Sequence, residues 1–154
     1  MNRIAAATFA LGVLATPALS QEVGEVGVDW LGNDIIVEAF KDPEVDGVTC
    51  HVSYFERGVI DRLQKGNWFE DPSDSSIACR QTGPISFPKP LRQQDEMFSE
   101  RISLVFKKLR VVRMVDRPRN TLVYLTYSDR VIEGSPQNSV TAVPVDRGTP
   151  IPLR

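Results

Sequence analysis

Histidine is almost absent from this chain, and that scarcity excludes more chemistry than most of the residues that are present. His51 is the single imidazole among 154 residues, so a metal centre built from several histidines cannot form. Cysteine is limited to Cys50 and Cys79, with no C-x-x-C spacing of the kind that catalytic dithiols use. Phosphate-cradling glycine loops, the dinucleotide fingerprint and the zinc-protease helix are all missing. So is the G-x-S-x-G elbow that would present a serine nucleophile. Beyond the first twenty residues no apolar run approaches the ~20 residues that a membrane-spanning helix needs. The inventory calls for no metal and no cofactor.

Two partial matches to catalytic or metal motifs fail on local geometry. Ser86-Phe87-Pro88-Lys89 fits S-x-x-K, and Ser128-Asp129-Arg130 is one residue from S-D-N. The first motif needs a helical turn to bring lysine beside serine; Pro88, flanked by Pro84 and Pro90, forbids it, and no K-T-G follows. Asp42, Glu44, Asp46 and Gly47 imitate the opening of a calcium loop, but Pro43 interrupts it and the twelfth position is Ser53 instead of glutamate. An acidic hairpin turn accounts for the same residues.

What is present begins with Met1–Ser20. Arg3 supplies a positive start, Ile4 to Ala15 an apolar core, Pro17 a breaker and Ala18-Leu19-Ser20 a small-x-small cleavage site. This pattern predicts an export signal cleaved near Ser20. Gly12 and Pro17 cut the apolar run short of a spanning length, and no cysteine stands near the cut to accept a lipid. The expectation is a soluble exported chain of 134 residues, a common size for one domain.

In an oxidising compartment the two cysteines are expected to form one disulfide, Cys50–Cys79. Closing a loop of about 29 residues contributes roughly 3 to 4 kcal/mol by the chain-entropy estimate.

Charge is divided unevenly. Residues 21–79 hold 13 acidic and 4 basic residues, and residues 80–154 hold 7 acidic and 13 basic. Two readings follow. The halves neutralise one another inside one compact domain, or Arg101, Lys107, Lys108, Arg110, Arg113, Arg117 and Arg119 form an exposed patch for a polyanion, with Tyr124, Tyr127 and Asp129 as neighbours. Outside the cytoplasm nucleic acid is not the expected target, which leaves an anionic envelope component such as lipid headgroups or polysaccharide.

The hydrophobic pattern is that of short strands. Strands are expected at 22–30, 35–41, 48–55, 76–81, 102–106, 109–115, 121–127 and 140–145. In the third, Val48, Cys50, Val52 and Tyr54 share one face, which turns Cys50 inward. Leu109 to Val115 is apolar on both faces, as a central strand would be. One short helix is expected at 57–65, its core face being Val59, Ile60 and Leu63 and its end Gly66. One or two helical turns are expected at 93–100, and a loose tail at 146–154. The fold class is therefore mainly β: a single antiparallel β-sandwich or partly closed barrel over 21–145 with one or two short helices, the alternative being α+β.

Several strings resemble the CreA family of exported bacterial proteins. They include Ile35-Ile36-Val37-Glu38-Ala39-Phe40, Gly47-Val48-Thr49-Cys50-His51-Val52-Ser53, Ser76-Ile77-Ala78-Cys79 and Thr82-Gly83-Pro84-Ile85. The second half continues the likeness with Ser103 to Lys107, Leu109 to Arg113, Leu122 to Leu125, Tyr127 to Asp129, Gly134 to Pro136 and Ala142 to Val145. The resemblance implies a periplasmic protein of about this size, in a family with no assigned biochemical activity and no catalytic residues to carry over. The expected function is a periplasmic binding or accessory protein without covalent catalysis. Its alternatives are a small hydrolase centred on His51 with Thr49 and Ser53, and an envelope partner of another protein.

Overall fold

The computed structural model describes residues 20–30, 32–56, 58, 60, 63, 75–101, 108–128 and 137–154. Every element delimited among them is a strand: β1 Gln21–Gly27, β2 Asp34–Lys41, β3 Asp46–Glu56, β4 Ser75–Ser86, β5 Gln94–Arg101, β6 Lys108–Asp116, β7 Thr121–Ser128 and β8 Asn138–Pro144. They form two four-stranded antiparallel sheets, ordered β1-β2-β3-β4 and β5-β6-β7-β8. The protein is a β-sandwich, and the sheets do not merge into a closed barrel.

Alternation of side chains puts one face of each sheet inside. Val48, Cys50, Val52 and Tyr54 of β3 are buried, as their period-2 spacing predicts, together with Phe40, Ile77 and Cys79. The second sheet answers with Leu109, Val111, Val115, Leu122, Tyr124 and Val143, all in the same core. Cys50 and Cys79 face each other directly across β3 and β4 and are joined by the disulfide. β6 is an interior strand of its sheet, which explains why both Val111 and Val112 are buried. At the start of β3, Gly47 has φ of 76° and lies so close to β4 that a Cβ would collide with the Pro84 carbonyl oxygen.

The sheets meet along β4 and β8 without sharing a backbone ladder. The Ile77 N–H donates to Ser139 Oγ and the Cys79 N–H to Thr141 Oγ1, each at 3.4 Å. Hydroxyl side chains of β8 thereby satisfy backbone donors on the outer edge of β4, which would otherwise be buried and unpaired.

Four expectations need correction or qualification. Residues 94–101 form β5 instead of helical turns, because pairing with β6 supplies hydrogen bonds that the polar string Gln94-Asp95-Glu96 has no local means to outweigh. The segment 146–154 is tied down instead of loose. Leu91 and Leu153 form a bridge in which the Leu91 N–H donates to the Pro152 carbonyl and the Arg154 N–H to the Leu91 carbonyl, both at 2.9 Å. The Asn120 amide donates to the carbonyls of Val145, Asp146 and Thr149, while its oxygen accepts from the Ile151 N–H. Pro150 and Pro152 restrict the unbound segment, lowering the entropy lost when it docks. The helix expected at 57–65 falls largely outside the described residues. Its described positions Ile60 and Leu63 have helical backbone, but they are 51% and 61% exposed and form no core face. The strand expected at 102–106 also lies outside the described residues.

Candidate functional site

Among the described residues, oppositely charged side chains meet in the interior where the β2–β3 loop of the first sheet faces β6 and β7 of the second; Glu38 on β2 is also buried, accepting from the Tyr54 hydroxyl at 3.0 Å. Asp42 opens that loop. Its carboxylate accepts from the Glu44 N–H at 2.9 Å, a local turn that directs both acidic side chains towards the opposite sheet. Arg113 reaches across from β6, donating from Nη1 to both Asp42 oxygens at 2.7 and 3.0 Å and from Nη2 to Glu44 at 2.6 Å. Opposite Arg113 on β7, the Tyr124 hydroxyl donates to Asp42 at 2.7 Å. The side chains of Arg113 and Asp42 are wholly buried. Arg154 approaches Glu44 from the docked C-terminal segment at 3.6 Å.

The cluster sets its own protonation states. Burial opposes the Arg113 charge, but the adjoining Asp42 and Glu44 outweigh it and hold the guanidinium above its ordinary pKa. The Arg113 hydrogen bond holds Glu44 below its ordinary value against a desolvation cost. Burial, reinforced by neighbouring Asp42, pushes the Tyr124 phenol far above its ordinary value, so it remains a neutral donor. The two terminal nitrogens of Arg113 are satisfied by Asp42 and Glu44, its Nε is buried without a partner, and only Glu44 of the four groups retains some contact with solvent. The arrangement joins two sheets; it does not present a reactive atom.

The basic residues singled out from the sequence are dispersed. Arg113 is interior, so it cannot belong to an exposed patch; its position on the inward face of β6 required a neutralising carboxylate. Arg110 pairs with Glu96 at 2.9 Å, and Arg119 pairs with Asp116 at 2.9 Å. Arg117 is exposed on the β6–β7 turn. Arg101 and Lys108 lie at strand ends whose side chains are not described, and Lys107 and Asp129 lie outside the described residues. Tyr124 belongs to the buried cluster, and Tyr127 is half-buried on the opposite face of β7.

His51 is exposed on the outer face of β3, directly between Ala39 and Ala78. Neither alanine offers a carboxylate to orient the ring. Thr49 is hydrogen-bonded to Thr82 at 2.8 Å, and Ser53 lies two positions along the strand. The acidic residues of the imagined calcium loop are also engaged: Asp42 and Glu44 with Arg113, and Asp46 with the Ser86 hydroxyl at 2.7 Å.

Sequence reasoning missed the lateral edge formed by β1. Val23, Val26 and Val28 are 59%, 62% and 53% exposed, and Trp30 is 80% exposed. Ile35, the direct partner of Val26 on β2, is 40% exposed. The weak alternation of Glu22 to Trp30 was the available signal, because it offers apolar residues without a sustained buried face. These apolar side chains lie on or beside a strand that pairs with β2 and, among the described strands, with no other.

Comparison with known proteins assigns the chain. The family model described as CreA protein matches residues 23–148, a span that runs from within β1 through the whole of β8. The chain belongs to the CreA family. It is 45% identical over 148 residues to the protein described as Protein CreA in Escherichia coli K12, covering 90% of this chain and 92% of that relative. The Protein CreA of Escherichia coli O157:H7 gives the same identity and coverage. No solved structure matches. Membership in the CreA family therefore establishes kinship over the full sandwich and brings no reaction with it. No helix among the described residues is long and apolar enough to cross a membrane.

Proposed function

We propose that this CreA-family protein is an exported, periplasmic accessory protein that works by binding another polypeptide and performs no covalent chemistry. The observation that carries this reading is the solvent-exposed edge of β1, with Val23, Val26, Val28 and Trp30 alongside it. Trp is among the residues that most often anchor protein interfaces. Among the described residues, several acidic and basic groups that could have served a site elsewhere are paired with each other, Arg113 most completely. A polyanion patch would have to manage without Arg113 and with Arg110 and Arg119 already neutralised. The surroundings of His51 offer little support for a hydrolase.

Export has a direct test: the mature protein recovered from the periplasm should have the mass of a chain beginning near Gln21. Function is tested by placing a photo-crosslinking residue at position 26 or, as a control, at position 117. Irradiation in the native compartment should give one discrete adduct from position 26 and none from 117. An adduct from 117 alone would favour the envelope-polyanion reading and remove this one.

A further inference from the structure

Among the described residues, β1 is paired along one side only. Its register runs from Gln21 opposite Ala39 to Gly27 opposite Asp34 on β2, and no described strand lies on its other side. Such an edge directs a row of backbone N–H and C=O groups outward, where an extended chain can pair with them. Natural edges are often guarded by charge and by bulges. Here both occur, as Glu22 and Glu25 and as the register shift between Glu22 and Gly24.

The guard is selective because the two faces of β1 differ. Val26 lies opposite Ile35, forming an apolar step on the sheet face away from the core. Glu25 lies opposite Ile36, and Glu22 opposite Glu38, on the other face; both β1 glutamates are exposed. An incoming strand would alternate its own side chains between these faces. On one it would meet Val26, and on the other it would meet two carboxylates. A second copy of β1 would set glutamates against glutamates, an unfavourable cross-strand arrangement. A basic residue at those positions would be favourable instead.

We propose that the free edge of β1 takes up an extended segment of a partner polypeptide as an added strand. That segment alternates basic residues, set against Glu22 and Glu25, with apolar residues, set against Val26. Backbone pairing supplies the attachment and the alternating side chains supply the selection. The proposal rests on the edge-binding reading above and adds the partner's chemistry.

Isothermal titration of the mature chain with blocked seven-residue peptides tests it. The first peptide alternates lysine and valine, the second alternates glutamate and valine, and two more carry the lysine–valine sequence with backbone N-methylation at one or the other alternate set of residues. Binding of the lysine–valine peptide is expected, with at least tenfold weakening by one of the N-methylated sets and no binding of the glutamate–valine peptide. A protein carrying Glu22→Lys and Glu25→Lys should reverse the preference. Both side chains are exposed, so its fold should survive, which a thermal melt verifies. Failure of the lysine–valine peptide to bind at millimolar concentration, undiminished binding of both N-methylated forms, or indifference to the charge reversal would each overturn the proposal. If an adduct at position 26 persists in such a case, only the partner chemistry falls; if the adduct is also absent, the edge-binding reading falls with it.

Discussion

Strands β4 and β1 bound the first sheet on opposite sides, and their outward backbones are treated in opposite ways. Along β4, hydroxyls of Ser139 and Thr141 accept from the Ile77 and Cys79 N–H groups, and the disulfide ties the strand to β3. Along β1, two glutamates and a bulge stand beside exposed valines, with no described strand across from them. The β4 edge is therefore part of the framework, whereas the β1 edge is surface. Substitutions should divide in the same way: those on the closed side cost stability, and those on the open side leave stability nearly intact.

The largest effect should come from Arg113→Met, which leaves Asp42 buried without its cation. A loss of about 3 to 5 kcal/mol is expected for breaking such a pair from one side, measured by urea denaturation. A loss below about 1 kcal/mol would show that the sheets do not depend on this junction. Replacing Cys50 and Cys79 together with alanine should cost about 3 to 4 kcal/mol by loop entropy, read from the same titration. If the double replacement proved neutral, the closed side would owe its persistence to packing alone.

Tyr124→Phe removes one hydrogen bond and should cost about 1 to 2 kcal/mol. It also has a pH signature. The folded phenol titrates above its unfolded value, so its stabilising contribution is fully present below about pH 10 and is lost as pH rises further. Unfolding free energies from pH 8 to 11 should fall for the parent chain and fall less for the variant. The smallest effect is expected at the open edge: Trp30→Ser should change stability by no more than about 0.5 kcal/mol. A large loss of melting temperature there would make β1 a structural edge like β4.

Much of the fold was legible because alternation is a strong signal when one face is buried. Val48, Cys50, Val52 and Tyr54 announced β3, and the two apolar faces of 109–115 announced an interior strand. β5 was not legible, since Gln94, Asp95 and Glu96 carry no strand pattern of their own and depend on β6. The docked C-terminal segment escaped for a similar reason: its partners Leu91 and Asn120 are remote in sequence. The opposition of acidic and basic halves was visible, but composition could not distinguish an exposed arginine from an interior one. Arg113 resembles Arg117 in a charge count; only its register opposite Tyr124 and its reach to Asp42 separate them. Asp42 and Glu44 looked like a turn or a weak calcium loop, because their cation lies in the other sheet.

The order of strands within each sheet has a consequence for how the chain reaches this structure. Each strand pairs only with its immediate neighbours in sequence, β1 to β4 in one meander and β5 to β8 in another. Pairing between sequence neighbours closes shorter loops than the contacts between the sheets do, so pairing within a meander is favoured early in folding. Contacts that unite the meanders are far more distant: Asp42 and Arg113 are separated by 71 positions, and Asp42 and Tyr124 by 82. Interactions formed after the transition state govern unfolding more than folding. The buried arginine is thus expected to close late on two locally assembled halves, and its loss should show chiefly as faster unfolding.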